Sequence, residues 1–357
     1  MKPGKISEPV LKRSVIRTIK YLTDEISAKA APGNDAVIAD SEGIAAAVST
    51  AGLYMSEENL YFDCQCAILN GMNNVAAKGG TPFAVLMNVI LPAGKLESDL
   101  RALMGSVSKL CLKLNLQIAG GSTEVSSSVK NTIVTFTVLG HPGIRENVFG
   151  SEGLKNKFLY TDPGAVCRPG MDIVLTKHIG IMGTAMLVQE KKEELLSKFP
   201  KSYLEKALKA REEMSVCSEA AVAGSSGAAV MHDVSRGGIF AALWELAEIT
   251  GRGVEAVITD MPVRQETIEF CEFYGLNPYK LISGGSLLIV CSRGKEITER
   301  LGHRGIPAAI IGKLTENNDK AVIQNGEKRY LEPPKGDEIY KVIGNRKTSE
   351  NKKSQIV

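Results

Sequence analysis

The chain has 357 residues, of which 44% are hydrophobic and 23% are charged, and its formal net charge is +3. This length exceeds what one hydrophobic core usually organises, so we expect two domains. The balanced charge excludes a nucleic-acid-binding surface as the main feature, and no uninterrupted apolar run is long enough to predict a membrane span. The N-terminus lacks the apolar core of a signal peptide, which predicts a cytoplasmic protein. Together these features predict neither a nucleic-acid nor a membrane partner.

The predicted elements of the first half alternate between strands and helices. Residues 7–23 have the apolar spacing of an amphipathic helix, and residues 96–114 repeat leucine at helical spacing. Further helices and strands are predicted at 35–39, 44–49, 67–78, 82–91, 117–119 and 132–139. This order predicts an α+β domain whose sheet is covered on one face, and we assign it to residues 1–150.

A segment rich in glycine and proline, residues 141–169, is the predicted boundary between the domains. After it come a strand at 172–176, a long charged helical region at 191–222 and an amphipathic helix at 239–249, which ends before Gly251. We assign residues 165–335 to a second α/β domain and residues 336–357 to a polar tail.

Seven cysteines are present, an odd number without any C-x-x-C spacing. Most of them lie in apolar segments, which favours buried thiols in a reducing compartment over a disulfide framework or a zinc site.

Three glycine-rich stretches are predicted to be loops that follow a strand: 120–123, 180–184 and 232–238. Glycines let the backbone approach an anion, and free N–H groups at a helix start carry partial positive charge, so these loops could bind a small phosphate ligand. Ordinary chain reversal is the alternative, with Asp233 bonded to its own loop. The candidate residues are Gly120, Gly121, Ser122, Thr123, Asp233, Gly237 and Gly238.

The turn A-P-G-N-D-A at residues 31–36 places Asp35 just before a strand. A short acid at such a position could hold a cation or a phosphate-bound metal, although cation sites typically use several carboxylates. Asp35 is therefore the candidate metal ligand.

The stretches M-H-D-V-S-R-G-G-I-F-A-A-L, P-V-R, G-L-N-P and S-G-G-S-L-L resemble the aminoimidazole ribonucleotide synthetase (PurM-like) superfamily, and most of all its HypE-type hydrogenase maturation proteins. The resemblance implies a two-domain PurM-like fold whose N-terminal domains join in a dimeric β-barrel. It further implies ATP in a cleft, magnesium held by aspartates, and phosphorylation of an amide or carbonyl oxygen. In the HypE branch the substrate is a thiocarboxamide on the C-terminal cysteine.

This sequence departs from that pattern at several acidic positions of the family. Asp35 keeps one of two acids in the G-D-D-A turn, and Asn74 stands where the helical N-D motif has an acid; both are carried over as cofactor-binding positions. Non-acidic residues also replace family acids at Asn34, Ala51, Ser122 and Gly284. Candidate replacements are Asp40, Glu42, Glu57, Glu58, Asp63 and Glu124. The chain ends in Ser-Gln-Ile-Val rather than in the family's Pro-Arg-Ile-Cys-like tail.

Three functions stay open from the sequence. The first is ATP-dependent activation of an amide or carbonyl oxygen with a rearranged metal site, and the second is dehydration of a thiol-bound substrate supplied by another protein. The alternative is a non-catalytic paralogue that binds a nucleotide or another phosphate ligand and acts through a partner. The expected cofactors are ATP and magnesium, and the expected partners are a second copy of the chain and hydrogenase maturation proteins.

Overall fold

The computed structural model describes residues 8–19, 36–39, 44–52, 55–143 and 163–343. Its first half forms a five-stranded sheet of order β1-β2-β5-β3-β4, in which β3 and β4 are parallel and the other neighbours antiparallel. The elements are α1 (Glu8–Ser14), β1 (Ala36–Ala39), β2 (Ile44–Ala51), α2 (Leu60–Ala77), β3 (Gly80–Pro92), α3 (Glu97–Lys113), β4 (Gln117–Ser126) and β5 (Ile133–Pro142).

One face of this sheet is covered and the other is open, as predicted. Alternate residues of β3 and β5, such as Val85, Met87 and Phe136, are buried and belong to one core cluster with α2 and α3. Burying a side chain of this size contributes roughly 1.5–3 kcal/mol. On the opposite face Val48 is 60% exposed and Leu86 is 36% exposed. Their register partner on β5 is the same residue, Thr137, so both belong to one open surface.

The predicted loop at 120–123 is wrong, because these residues continue strand β4. Leu86, Met87, Asn88 and Val89 of β3 pair with Gly120, Gly121, Ser122 and Thr123 in turn. The glycines signalled close packing rather than a turn: a Cβ on Gly121 would lie 1.8 Å from the Met87 carbonyl oxygen. Glycine within a strand often marks such a close backbone approach.

The second half forms a seven-stranded sheet of order β12-β11-β8-β10-β6-β9-β7. Its strands are β6 (Asp172–Thr176), β7 (Ala228–Val234), β8 (Gly253–Val257), β9 (Ser286–Cys291), β10 (Ala308–Thr315), β11 (Lys320–Gln324) and β12 (Glu327–Tyr330). Its helices are α4 (Pro163–Val166), α5 (Ile181–Glu190), α6 (Lys192–Leu196), α7 (Lys201–Lys209), α8 (Cys217–Ser225), α9 (Gly238–Thr250), α10 (Gln265–Tyr274) and α11 (Gly294–Gly302).

The predicted strand at 172–176 and helix at 239–249 are confirmed as β6 and α9. The predicted long helical region at 191–222 is confirmed in type, and it consists of the separate helices α6 and α7 and most of α8. Pro200 precedes α7 and has an extended backbone, with a ψ of 147°. Proline lacks the N–H group that a continuing helix requires, which explains this break.

All seven cysteines are buried and unpaired, as predicted from the sequence. Of the helices that the structure describes, none combines the length and the apolar character needed to cross a bilayer.

Candidate functional site

Helix α2 carries two consecutive asparagines toward the second half of the chain. Asn73 is fully buried; its amide donates to the Met214 carbonyl oxygen at 2.8 Å and its Oδ1 accepts the Val216 N–H at 2.9 Å. A buried amide whose donor and acceptor are both satisfied stabilises the fold, whereas losing its partners would cost about 1–3 kcal/mol for each orphaned group. Asn73 therefore fixes α2 against the 214–216 segment.

The neighbouring Asn74 contacts Asp233 at the end of strand β7. With its amide nitrogen facing the carboxylate, Asn74 donates to the two oxygens of Asp233 at 2.6 and 3.0 Å. Asp233 is buried, with 3% exposure. Two residues that the sequence indicated separately thus meet, and an amide rather than an acid faces the Asp233 carboxylate.

Lys177 holds the other side of the 214–216 segment. Its ammonium group donates to the carbonyl oxygens of Glu213 and Ser215, both at 2.7 Å, and forms a buried ion pair with Glu219. The backbone of Lys177 is left-handed, with φ +54°, an uncommon conformation for a residue with a Cβ atom. Lys177 thus donates to two backbone carbonyl oxygens and pairs with one buried carboxylate.

The turn between β7 and α9 requires both of its glycines. Gly237 and Gly238 have φ of +83° and +65°. A Cβ on Gly238 would lie 2.5 Å from the Tyr279 carbonyl oxygen and 2.8 Å from that of Leu281. The turn is therefore packed against the loop that precedes β9, and only glycine fits there.

The N–H group of Gly237 already binds an anion from the chain itself. Asp337 accepts that N–H at 2.6 Å, and it also accepts the Ile282 N–H at 3.2 Å and the Ile339 N–H at 2.9 Å. Burial raises the pKa of Asp337 to about 6, against the effect of these three backbone donors and of Arg236. An internal carboxylate thus occupies the Gly237 N–H group, and binding of a small phosphate ligand by this turn stays a prediction.

Arg236 lies in the same turn and is half-buried. Its charge acts on Asp337 and also on Asp63 of α2, whose pKa burial raises to about 6. Asp63 accepts the Gly52 N–H at 2.7 Å. The charge of Arg236 thus lowers the pKa of one carboxyl from each half of the chain, and at each carboxyl the effect of burial is larger.

Several predicted site residues lie elsewhere. Asp35, Asn34, Asp40 and Glu42 fall outside the described residues. Gly120, Gly121, Ser122 and Thr123 lie on the edge strand β4, where the Ser122 N–H donates to Asn88 Oδ1 at 3.1 Å. Of the replacement acids, Glu57 is bound by Thr132 and Lys95, and Asp63 by the backbone of Gly52.

Magnesium does not fit the described residues. Within them, no group of three or more His, Cys, Asp or Glu side chains is arranged to hold a metal ion. The Asn74–Asp233 pair offers one carboxylate and one neutral amide, whereas Mg²⁺ typically takes carboxylates together with phosphate oxygens and water. Asp35 therefore stays a predicted ligand.

Sequence reasoning missed Asp337, Lys177 and the role of Arg236. Arg236 directly precedes the glycine pair in the sequence, but the carboxylates whose pKa it lowers are distant in sequence. Asp337 was assigned to a polar tail because its neighbours are prolines, lysines and glycine. No local signal predicts that a carboxylate 100 residues away accepts the N–H of Gly237.

Two α+β halves joined by contacts of α2 with strand β7 and the 214–216 segment define a two-domain PurM-like protein. Residues 32–141 match the family described as "AIR synthase related protein, N-terminal domain", and residues 168–325 match its C-terminal domain. The chain belongs to the AIR synthase related protein family.

Two curated relatives carry names from hydrogenase maturation. A putative hydrogenase expression/formation protein of Methanocaldococcus jannaschii is 25% identical over 298 residues, which are 77% of this chain and 77% of the relative. The carbamoyl dehydratase HypE of Azotobacter vinelandii is 26% identical over 267 residues, or 72% of this chain and 70% of the relative.

Solved structures share the fold. E. coli HypE has a TM-score of 0.64 at 20% identity, covering 84% of this chain and 89% of its own. A HypE in complex with ATP has a TM-score of 0.61 at 18% identity and covers 95% and 97%. A chain of a HypE–HypF complex has a TM-score of 0.60 at 20% identity and covers 84% and 93%.

Proposed function

We propose that the protein is an ATP-dependent enzyme that phosphorylates an amide or carbonyl oxygen, with its reacting groups near the contact between α2 and the end of strand β7. The observation that carries the proposal is the Asn74–Asp233 pair, which joins the two halves at 2.6 and 3.0 Å, with Arg236 three positions after Asp233 in the chain. Family membership and the ATP-bound HypE of the same fold support ATP as the phosphoryl donor.

The chemistry requires positioning and charge neutralisation more than covalent participation by the protein. Phosphorylation converts the oxygen of an amide into a phosphate leaving group, and loss of that phosphate with a proton from nitrogen leaves a nitrile. In this proposal Asn74 and Asp233 orient the amide end of the substrate, and Arg236 stabilises the negative charge that develops on the transferred group. Asp35, Gly120, Gly121, Ser122 and Thr123 are proposed contacts to the nucleotide, with Asp35 as a metal ligand.

An oxygen-18 experiment tests this reaction class. A carbamoyl or thiol-bound carboxamide substrate labelled with oxygen-18 in its carbonyl group is incubated with ATP, and the released phosphate is analysed by mass spectrometry. Transfer of the label to phosphate is expected, with turnover reduced at least about 100-fold in Arg236→Ala, since a lost transition-state contact costs roughly 2.7–4 kcal/mol. Asp260→Ala, a change at an exposed residue, is the control. Nucleotide binding without labelled phosphate for any amide tested would contradict the proposal and favour the non-catalytic alternative.

The open face of the first sheet is proposed to form the dimeric β-barrel with a second copy. Val48 and Leu86 lie on this face with 60% and 36% exposure. A glutamate at either position would introduce like charges into the interface, so Val48→Glu or Leu86→Glu is expected to produce monomers in light scattering. Leu112→Glu on α3, where Leu112 is 79% exposed, is the matched control. A wild-type monomer at micromolar concentration would contradict this architecture.

The solved complex of HypE with HypF supports hydrogenase maturation proteins as partners. Sedimentation of this protein with a purified HypF-type protein is expected to give a complex that Asp260→Ala leaves intact. Independent sedimentation of the two proteins at about ten micromolar, well above the affinity range of specific complexes, would contradict this assignment.

A further inference from the structure

A cavity of about 310 Å³ lies between the start of helix α9, the turn at residues 277–280 and strands β11 and β12. Ile258, Val322 and Leu331 supply apolar parts of its lining. The residues assigned above to the nucleotide, the amide or the metal do not line it. Ligand pockets in proteins measure roughly 300–1,000 Å³, so this volume fits a small molecule of about one ring with a short substituent.

Two aromatic side chains of the cavity are stacked on each other. The rings of Phe240 and Tyr279 have centroids 5.3 Å apart and an interplanar angle of 10°. Their proximity follows from the glycine turn, because Gly238 lets the start of α9 approach the backbone of Tyr279. Both aromatic residues are only half-buried, and Tyr330 of β12, which is 67% exposed, also lines the cavity. Aromatic surface that is left open in this way can pack against a further ring in offset or edge-to-face geometry.

The lining also contains two cations that are weakly paired. The ammonium group of Lys280 forms neither a hydrogen bond nor an ion pair with any residue that the structure describes. Arg329 has an exposed ion pair with Glu327, whose closest atoms are 3.8 Å apart, and such pairs contribute little. Glu332, an acid of the same lining, is paired with Lys335 at 2.8 Å. An anionic group that enters the cavity would therefore meet two available cations.

Neutral polar groups complete the lining. Asn277 Oδ1 accepts the Tyr279 N–H at 2.9 Å, which leaves the amide NH₂ group of Asn277 for another acceptor. Within the described part of the chain, the Gln324 amide and the Tyr279 hydroxyl make no hydrogen bonds. A buried polar group of a ligand would find partners here, so its desolvation would be compensated.

We propose that this cavity binds a small aromatic carboxylate, whose ring packs on Phe240 and Tyr279 and whose carboxylate pairs with Lys280 and Arg329. The aromatic surface favours a flat ring over a saturated one, and the two cations favour an anion over a neutral amide. The site goes beyond the proposed function, since it takes a ligand other than ATP and uses neither Asn74 nor Asp233.

Fluorine-19 NMR with 4-fluorobenzoate as the probe tests this site in the full-length protein. Saturable line broadening is expected, with a Kd on the order of 1 mM for a probe of about ten non-hydrogen atoms. The uncharged 4-fluorobenzamide and the saturated 4-fluorocyclohexanecarboxylate should each bind at least about fivefold more weakly. Lack of saturable broadening up to about 10 mM, or an equal affinity for either analogue, would overturn the proposal.

Two substitutions locate the probe in the cavity. Lys280→Met removes the charge and keeps the length of the side chain, so it should weaken binding of 4-fluorobenzoate about fivefold or more and leave that of 4-fluorobenzamide unchanged. A general change of structure would affect both probes alike. Phe240→Leu should weaken both, because it removes one of the stacked rings. Lys295→Met, at an exposed position of α11, is the matched control and should bind like wild type. Unchanged affinity of folded Lys280→Met for 4-fluorobenzoate would show that the probe binds elsewhere and would refute the site.

Discussion

Replacing Asn74 with aspartate would put two carboxylates where the structure has an amide and a carboxylate. The present donor–acceptor distances of 2.6 and 3.0 Å mean that the two acids would be nearly in contact. Two unit charges about 4 Å apart at an effective dielectric constant of about 20 repel by about 4 kcal/mol. Asp233 is buried, so solvent cannot relieve much of this repulsion.

Protonation of one carboxyl sets the upper limit of the penalty. Keeping an aspartate protonated costs about 1.4 kcal/mol for each pH unit above its ordinary pKa near 3.9. The destabilisation of Asn74→Asp can therefore reach about 5 kcal/mol at pH 7.5 and about 1.5 kcal/mol at pH 5. The pair of Asn74→Asp therefore has a raised pKa in the folded state. Its stability relative to wild type should be greatest at low pH and should be lost as the pH rises.

Urea unfolding of Asn74→Asp and wild type at pH 5, 6 and 7.5 measures this difference. Asn131→Asp, at an exposed position, controls for the added charge and should change stability by less than about 0.5 kcal/mol. Mg²⁺ or Ca²⁺ should stabilise Asn74→Asp more than wild type, because two adjacent carboxylates can share the cation. A variant as stable as wild type at pH 7.5, with no added pH dependence, would refute the inferred contact.

Three further changes test other parts of the site. Gly238→Ala should lower the free energy of unfolding by more than about 2 kcal/mol in thermal unfolding. The control is Gly105→Ala within α3, where a Cβ meets nothing within 4 Å and the change should raise it by about 0.5–1 kcal/mol. Equal effects of the two changes would contradict the close approach at Gly238. Lys177→Ala leaves Glu219 buried without its cation and should cost about 3–5 kcal/mol in urea unfolding, so a loss below about 1 kcal/mol would argue against a buried pair. Burial raises the folded pKa of Asp63 to about 6, so its contribution to stability is present below about pH 4 and is lost as the pH rises through about 6. Asp63→Asn should therefore remove a decline in the free energy of unfolding on the order of 3 kcal/mol over this range. The same dependence of stability on pH in wild type and Asp63→Asn would contradict the raised pKa.

The periodic parts of the fold were predictable from sequence because burial imposes their spacing. Helix α9 and strand β6 have strong local patterns that agree with their tertiary surroundings. The loop predicted at 120–123 was wrong because glycine is compatible with two structures. It permits a turn, and it also permits close contact between strands. The close contact depends on the Met87 carbonyl oxygen of β3, which no local pattern reveals.

The candidate site was predictable only in its separate parts. Asn74 and Asp233 were each predicted, but 159 positions separate them in the numbering (233 minus 74) and only packing of α2 against β7 brings them together. From sequence alone, Asn74 reads as the loss of an acid. The structure gives that amide a partner, since the carboxylate of Asp233 requires a donor and not another acceptor.

The same reasoning connects Asn74 with Asp337. At one position an amide stands where the family pattern has an acid, and at the other an internal carboxylate occupies the N–H groups of a glycine turn. In both arrangements a buried carboxylate accepts hydrogen bonds from groups of the chain itself. The charge of Arg236 lowers the pKa of Asp63 in the first half and of Asp337 in the second. Burial raises the folded pKa of both Asp63 and Asp337 to about 6, so the contribution of each carboxyl to stability is lost as the pH rises from about 4 through about 6.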